Sequence, residues 1–327
     1  MQDVPVLLQR GFLGVDFFSV LSGFLITTLL LREEDRNGRF SLKGFYWRRC
    51  LRILPVYFLV VTVLATYYIG LKGQSEYLEL LPFYYLFLSN FLVGDIPMLG
   101  PAWSLSVEEQ YYLVWPLLLL LTPRRFILHV LAGLIVLDVL AVTGGLRIVG
   151  IRPVETGPLV FEMFTATYAP ILIGSALAIL LHNKSGFGIL SRVLGFRSTA
   201  PVSFLSLLVL MQILPPDVTG WPNLVLHLTM ACCLTSIVIR EDHLLRSVFT
   251  FPPIQRVGQI NYGIYLYHLI GLHIVTILLA KVGWQDEWVV FWLYSLVSFA
   301  IAEASFRYYE TPFLNLRHRK IAMQRAG

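Results

Sequence analysis

The chain has 327 residues, of which 57% are hydrophobic and 14% charged, with a mean hydropathy of +0.71. These proportions exclude a soluble globular domain and a disordered chain, and they fit a multi-pass membrane protein. A net charge of +5 gives no reason to expect nucleic acid, because basic residues of a membrane protein set its orientation. Long uninterrupted apolar runs exclude the alternating pattern of a membrane barrel, so the expected fold class is all-α, a polytopic transmembrane helix bundle. Three cysteines, Cys50 and the adjacent Cys232 and Cys233, form no disulfide or metal pattern and are expected as free thiols. No cleavable signal peptide is evident at the N-terminus.

In chain order, apolar segments long enough or nearly long enough to span lie at about 12–31, 52–71, 104–121, 125–142, 159–182, 199–214, 222–239, 260–280 and 287–306. A tenth candidate, 79–92, is short and contains Pro82 and Asn90. With nine spans, all of the 25 Lys and Arg except Arg10, Lys72, Arg147, Arg152 and Lys281 fall on one side. Counting 79–92 as a span breaks that bias, so nine spans with a cytoplasmic C-terminus are expected, in the cell membrane. The N-terminus then lies outside, which asks for another helix upstream. No tandem repeat or separate soluble domain is evident, so residues 1–327 are read as one membrane-embedded domain.

The first span carries a carboxylate. At helical spacing Asp16, Ser19, Gly23 and Thr27 share one face, a small polar seam, while Phe17, Phe18, Leu21 and Leu25 cover the rest. Two readings stand side by side: a packing seam with Asp16 favoured by the helix dipole, or a functional carboxylate. The stretch from Phe45 to Pro55 leads into the second span with Arg49 and Arg52 three residues apart. Two such guanidiniums can grip a phosphate, yet basic clusters at a cytoplasmic span end also serve orientation and anionic lipid. At Trp103–Pro116, Ser106 and Glu109 have capping-box spacing; Glu108 has no such explanation. The acidic pair, Gln110, Tyr111 and Tyr112 suggest either a polar cavity for acid–base work or an interfacial belt. His268 follows Asn261 and Tyr262 in the eighth span, with His273 five residues on, a poor spacing for one metal. His268 reads as a catalytic base or a hydrogen-bonded core residue, and His227 has no local partners. Glu310 reads first as a structural or ion-pairing residue.

Taken together, these blocks resemble the acyltransferase-3 family of integral membrane proteins, which transfer acyl groups, often acetyl, to hydroxyls of cell-surface glycans. The resemblance runs across almost the whole chain: Gly14-Val15-Asp16 through Ile26, Arg49-x-x-Arg52, Trp103 through Tyr112, Tyr262 through His268, and Arg307 through Phe313. It implies an acyl-CoA donor, most simply acetyl-CoA, entering from the cytoplasm and contacted by Arg49 and Arg52. It also implies a glycan or other hydroxyl acceptor near Asp16 and Glu108, and general-base activation of that hydroxyl with no metal. Family members are expected to carry the base as a histidine on a helix before the glycine block. Residues 1–10 contain no His, so the chain is expected to be N-terminally truncated relative to the family, with His268 as a substitute base. The competing readings are a glycan or lipid transporter or flippase, and a catalytically inactive membrane partner.

Overall fold

In the computed structural model, which describes residues 10–148, 150, 154–161, 168–215, 220–284 and 286–316, the apolar runs are helices. They are α1 (Leu13–Asn37), α2 (Leu42–Ala65, continued by a π turn over Thr66–Leu71), α3 (Ala102–Leu121) and α4 (Ile127–Val142). A two-stranded hairpin, β1 (Val154–Thr156) and β2 (Leu159–Phe161), follows. Then come α5 (Ala169–His182), α6 (Lys184–Leu194), α7 (Thr199–Ile213), α8 (Trp221–Ile239), α9 (Pro252–Val282) and α10 (Glu287–Ser305), the last extended by a π turn over Phe306–Glu310. Among the described residues five stretches are long and apolar enough to cross a bilayer: Leu13–Asn37, Leu42–Leu71, Trp221–Ile239, Pro252–Val282 and Glu287–Leu316. The pair α5 and α6, bent by 105°, adds at most one broken span, and α4 and α7 are apolar but shorter.

Two sequence expectations need correcting. The run 159–182 is not one helix: β2 pairs antiparallel with β1 across a turn in which Gly157 takes a positive φ of 59°. Only glycine adopts that backbone at little cost, and α5 starts at Ala169; residues 162–167 lie outside those described. Ser106 is no cap, because α3 already starts at Ala102. Its hydroxyl donates to Ala102 O at 3.0 Å and pairs with Ser89 Oγ at 2.8 Å. The segment 79–92 holds only one-turn helices, Leu81–Tyr85 and Ser89–Phe91.

Local chemistry sets the helix ends. Ser41 Oγ accepts from Gly44 N at 3.1 Å at the start of α2, and Asn183 Oδ1 accepts from Ser185 N at 2.9 Å where α6 turns away from α5. At α10 the cap is Asp286, whose Oδ1 accepts from Val289 N at 2.9 Å. Asp286→Ala is expected to cost about 1 kcal/mol, seen as faster amide exchange in the first turn of α10.

By contacts the chain forms two compact units, Met1–Phe40 with Val107–Phe249, and Ser41–Ser106 with Thr250–Gly327. In the first, α1 and α5 cross backbone to backbone. A Cβ on Gly23 would lie 2.0 Å from Ile171 O, and one on Gly174 would lie 2.0 Å from Val20 O. Small residues permit such an approach between membrane helices. Around the crossing Leu13, Val20, Ile173, Leu226, Met230 and Cys233 form the core. Arg10, almost wholly buried, donates to Met211 O in the last turn of α7 and to Leu214 O just beyond its end. Between α8 and α9 the half-buried Arg240 bonds Asp242 and holds its carboxyl below the usual range.

In the second unit α9 and α10 pack side by side, Gly271 against Ser298 and Gly263 against Ala302. The core is built on Tyr57, Val60, Val61, Leu64, Ile96 and Leu266. Tyr84 lies within it, donating to Asp95 Oδ1 at 3.0 Å and accepting from Ile96 N at 3.1 Å. Burial first, and the Asp95 charge second, push its hydroxyl well above the ordinary range, so it remains a neutral donor.

Candidate active site

The first unit gathers polar side chains from α1, α3, α4, α5 and α8 inside otherwise apolar helices. Glu108, 5% exposed, accepts from Tyr112 one turn later on α3 at 2.7 Å, and the Tyr112 hydroxyl also bonds Ser22 of α1. Thr27 accepts from Trp115 Nε1 at 2.9 Å and donates to Ser175 at 2.9 Å, and Ser175 donates to Gly23 O at 3.0 Å. Tyr111 closes this second chain on Ser175. Asp138 of α4 caps α5 from outside, its two oxygens accepting from Tyr168 N at 2.9 Å and Ala169 N at 3.1 Å. The Tyr168 hydroxyl donates to Gln110 at 2.6 Å.

Asp16 finds its partner on α8. Its Oδ2 lies 3.1 Å from His227 Nε2, with the His227 side chain 1% exposed and that of Asp16 14%. A carboxylate only accepts, so His227 donates through Nε2–H. The seam read from the sequence therefore splits by depth: Gly23 and Thr27 serve helix packing, and Asp16 pairs with a histidine. Ser22, six residues or about 9 Å of helix rise beyond Asp16, joins α1 to Glu108. Both predicted carboxylates thus meet α1, one directly and one through Tyr112.

Three other blocks converge in the second unit. Tyr262 donates to Ile53 O at 3.2 Å and Tyr309 to Pro55 O at 3.3 Å, tying α9 and the π turn to the helix that bears Arg49 and Arg52. The π turn rotates Glu310 inward to 8% exposure, where Ser305 donates to it at 3.2 Å and the Arg52 charge attracts it. Arg52 itself is exposed, and Arg49 lies 5.9 Å from the Phe45 ring centroid. Glu303 accepts two 2.8 Å bonds from Arg256 and one of 2.7 Å from Arg307. His268 donates Nδ1–H to Tyr265 O at 2.6 Å, which leaves its lone pair on Nε2. Among the described residues no group of three or more His, Cys, Asp or Glu could hold a metal ion.

Sequence reasoning passed over His227. Its partner is 211 residues away, so no local spacing could reveal the pair; the only available signal was an imidazole inside an apolar run.

The comparisons with known proteins bear on this arrangement. A family model described as an acyltransferase domain, acyltransferase-3, matches residues 2–304. The chain belongs to the acyltransferase-3 family. It is 27% identical over 332 residues to the peptidoglycan O-acetyltransferase OatA of Listeria monocytogenes, covering 93% of this chain and 51% of that one. Staphylococcus aureus relatives match at 27% over 326 residues, 94% of this chain and 53% of theirs. A Haemophilus influenzae protein of unassigned function is 30% identical over 243 residues, 69% of this chain and 96% of its own length. The chain thus spans about half the length of the first relatives it matches. No solved structure matches. Acyltransferase membership, several apolar helices and relatives named for O-acetyl transfer agree with the class read from the sequence.

Proposed function

We propose that the chain is the membrane-embedded domain of an O-acyltransferase that moves an acetyl group from acetyl-CoA to a hydroxyl of a cell-surface glycan such as peptidoglycan. The observation that carries this reading is the pair of carboxylates that meet at α1, the half-buried Asp16 with His227 and the buried Glu108 of α3 with Tyr112, in a chain of the acyltransferase-3 family. Nine spans with a cytoplasmic C-terminus, supported by the Lys and Arg bias, orient the protein in the cell membrane. Arg49 and Arg52 then reach the donor phosphates from the cytoplasm, while Asp16 and Glu108 serve the acceptor near the opposite end of their helices. The hydroxyl is activated by a general base and attacks the thioester carbonyl. A histidine suits that task, and His268, with its lone pair on Nε2, is the candidate the sequence supplies.

Membranes carrying the full gene product are expected to move labelled acetyl from acetyl-CoA onto soluble peptidoglycan fragments. Arg49→Ala should raise the KM for acetyl-CoA about tenfold, the worth of one charge-assisted bond to phosphate. No transfer by the wild-type protein, or a donor KM untouched by the substitution, refutes respectively the reaction and the donor site.

A further inference from the structure

In the first unit α5 runs alongside α1, from Ile171 against Gly23 to His182 against Asp35, where Nε2 and Oδ1 are 3.5 Å apart. Asp35 lies just past the apolar run of α1, which closes at Leu31 and gives way to Arg32, Glu33 and Glu34. Because α1 is long and apolar enough to cross a bilayer, this level is its boundary with water. There the chain bends by 105° and leaves as α6. A helix that turns so far from α5 at that depth lies near the membrane plane, and its 11 residues rise only about 16 Å, too little to cross.

At about 3.6 residues per turn the side chains of α6 sort into stripes. Leu190 packs on the core of the unit, and Leu194 beside it is half-buried. Ile189 and Val193, one turn apart, are 62% and 66% exposed, and Phe196 just beyond the helix is 61% exposed. Leu244, whose N–H bonds Arg197 O, extends the exposed apolar surface. Lys184, Ser185 and Arg192 form the remaining stripe and are exposed. Residues 182–199 contain no Asp or Glu. Arg197 and Arg240 share Asp242, but Lys184 and Arg192 have no ion-pair or hydrogen-bond partner among the described residues. An exposed apolar stripe beside an unneutralised basic one matches the boundary between acyl chains and anionic headgroups.

We propose that α6 is an in-plane anchor for anionic phospholipid, with Lys184 and Arg192 on the headgroup phosphate and Ile189, Val193 and Phe196 against the acyl chains. The proposal stands apart from the acyl-transfer reading. Zwitterionic lipid satisfies the apolar stripe alone. Each unpaired basic residue near an anionic surface strengthens attachment about fivefold, so the two together favour anionic lipid about 25-fold. The corner passes this hold on to α5. Asn183 Oδ1 caps the start of α6, and a Cβ on Gly186 would lie 2.3 Å from Leu180 O, so the two helices meet too closely to swing apart. Lipid that fixes the level of α6 therefore fixes the depth of α5.

The test is amide hydrogen exchange over α6 in the full gene product, held in nanodiscs of phosphatidylcholine or of phosphatidylglycerol with the same acyl chains. Wild-type α6 should exchange about 25-fold more slowly in phosphatidylglycerol, the worth of two charges at an anionic surface. Lys184→Gln combined with Arg192→Gln should remove that difference and leave exchange in phosphatidylcholine unchanged. Ile189→Asn combined with Val193→Asn should speed exchange in both lipids, and Lys281→Gln should behave as wild type. If the charge variant does not accumulate, about 1 M NaCl, where the Debye length is about 3 Å, must remove most of the wild-type difference. Equal exchange in the two lipids, or a phosphatidylglycerol effect that survives the charge variant, overturns the proposal. So does protection by glycerol phosphate added to phosphatidylcholine discs, which would assign the cations to a soluble phosphate. Protection that follows the number of protein copies per disc rather than lipid charge also overturns it, and assigns the face to a second copy of the chain.

Discussion

Glu108→Gln is expected to lower kcat/KM for acyl transfer by about 10²- to 10⁴-fold, the range over which a positioned acid–base group acts, with normal accumulation in membranes. The substitution is nearly isosteric. Its amide oxygen still accepts from Tyr112, so the bond at 2.7 Å and the link through Tyr112 to Ser22 survive. What disappears is the charge. A carboxylate held at 5% exposure inside an apolar helix is costly to bury, and a neutral amide in its place removes that cost. A purely structural Glu108 therefore predicts unchanged or improved stability with unchanged turnover. A functional one predicts unchanged stability with turnover lost. Initial rates and thermal unfolding in detergent separate the two outcomes, and a drop in kcat without a rise in acceptor KM would place the role in the transition state.

Gly174→Ala is expected to destabilise the first unit by about 3 kcal/mol, at the upper end of ordinary overpacking. The added Cβ would lie 2.0 Å from Val20 O and 3.0 Å from Phe24 N, and both are backbone atoms that no rotamer change can move. Relief requires α1 and α5 to part. Gly133→Ala supplies the control, because it too lies inside a helix but meets nothing within 4 Å; there the added methyl should leave stability level or slightly higher. Thermal unfolding of the two variants checks the difference. Equal stability would mean that the crossing is looser than its backbone contacts indicate.

The membrane class, the helices and the small seam on α1 were legible because they follow from local pattern: apolar run length, 3.6-residue periodicity and small residues at helical spacing. Gly23 and Thr27 sit at the α1 interfaces as the seam predicts. The hairpin over Val154–Phe161 was not legible, since an apolar run gives no warning that a single Gly157 with positive φ will turn it. The role of Ser106 was misread because capping-box spacing fits a start at Ser106 as well as the true start at Ala102. Sequence order could not show that Tyr262 and Tyr309 close on the carbonyls of Ile53 and Pro55, nor that Asp16 meets His227, because such pairs form only when distant helices dock.

The short helices of the first unit have a consequence for the surrounding lipid. The 16 residues of α4, 14 of α5 and 15 of α7 rise only about 24, 21 and 22 Å at 1.5 Å per residue. A bilayer core is about 30 Å thick. Wherever these helices cross, the hydrocarbon must thin or water must enter at their ends, at a cost of a fraction of a kcal/mol per Å. If they do cross, hydrophobic mismatch brings the aqueous boundary toward the unit's buried Glu108 and His227 and shortens the low-dielectric layer around them.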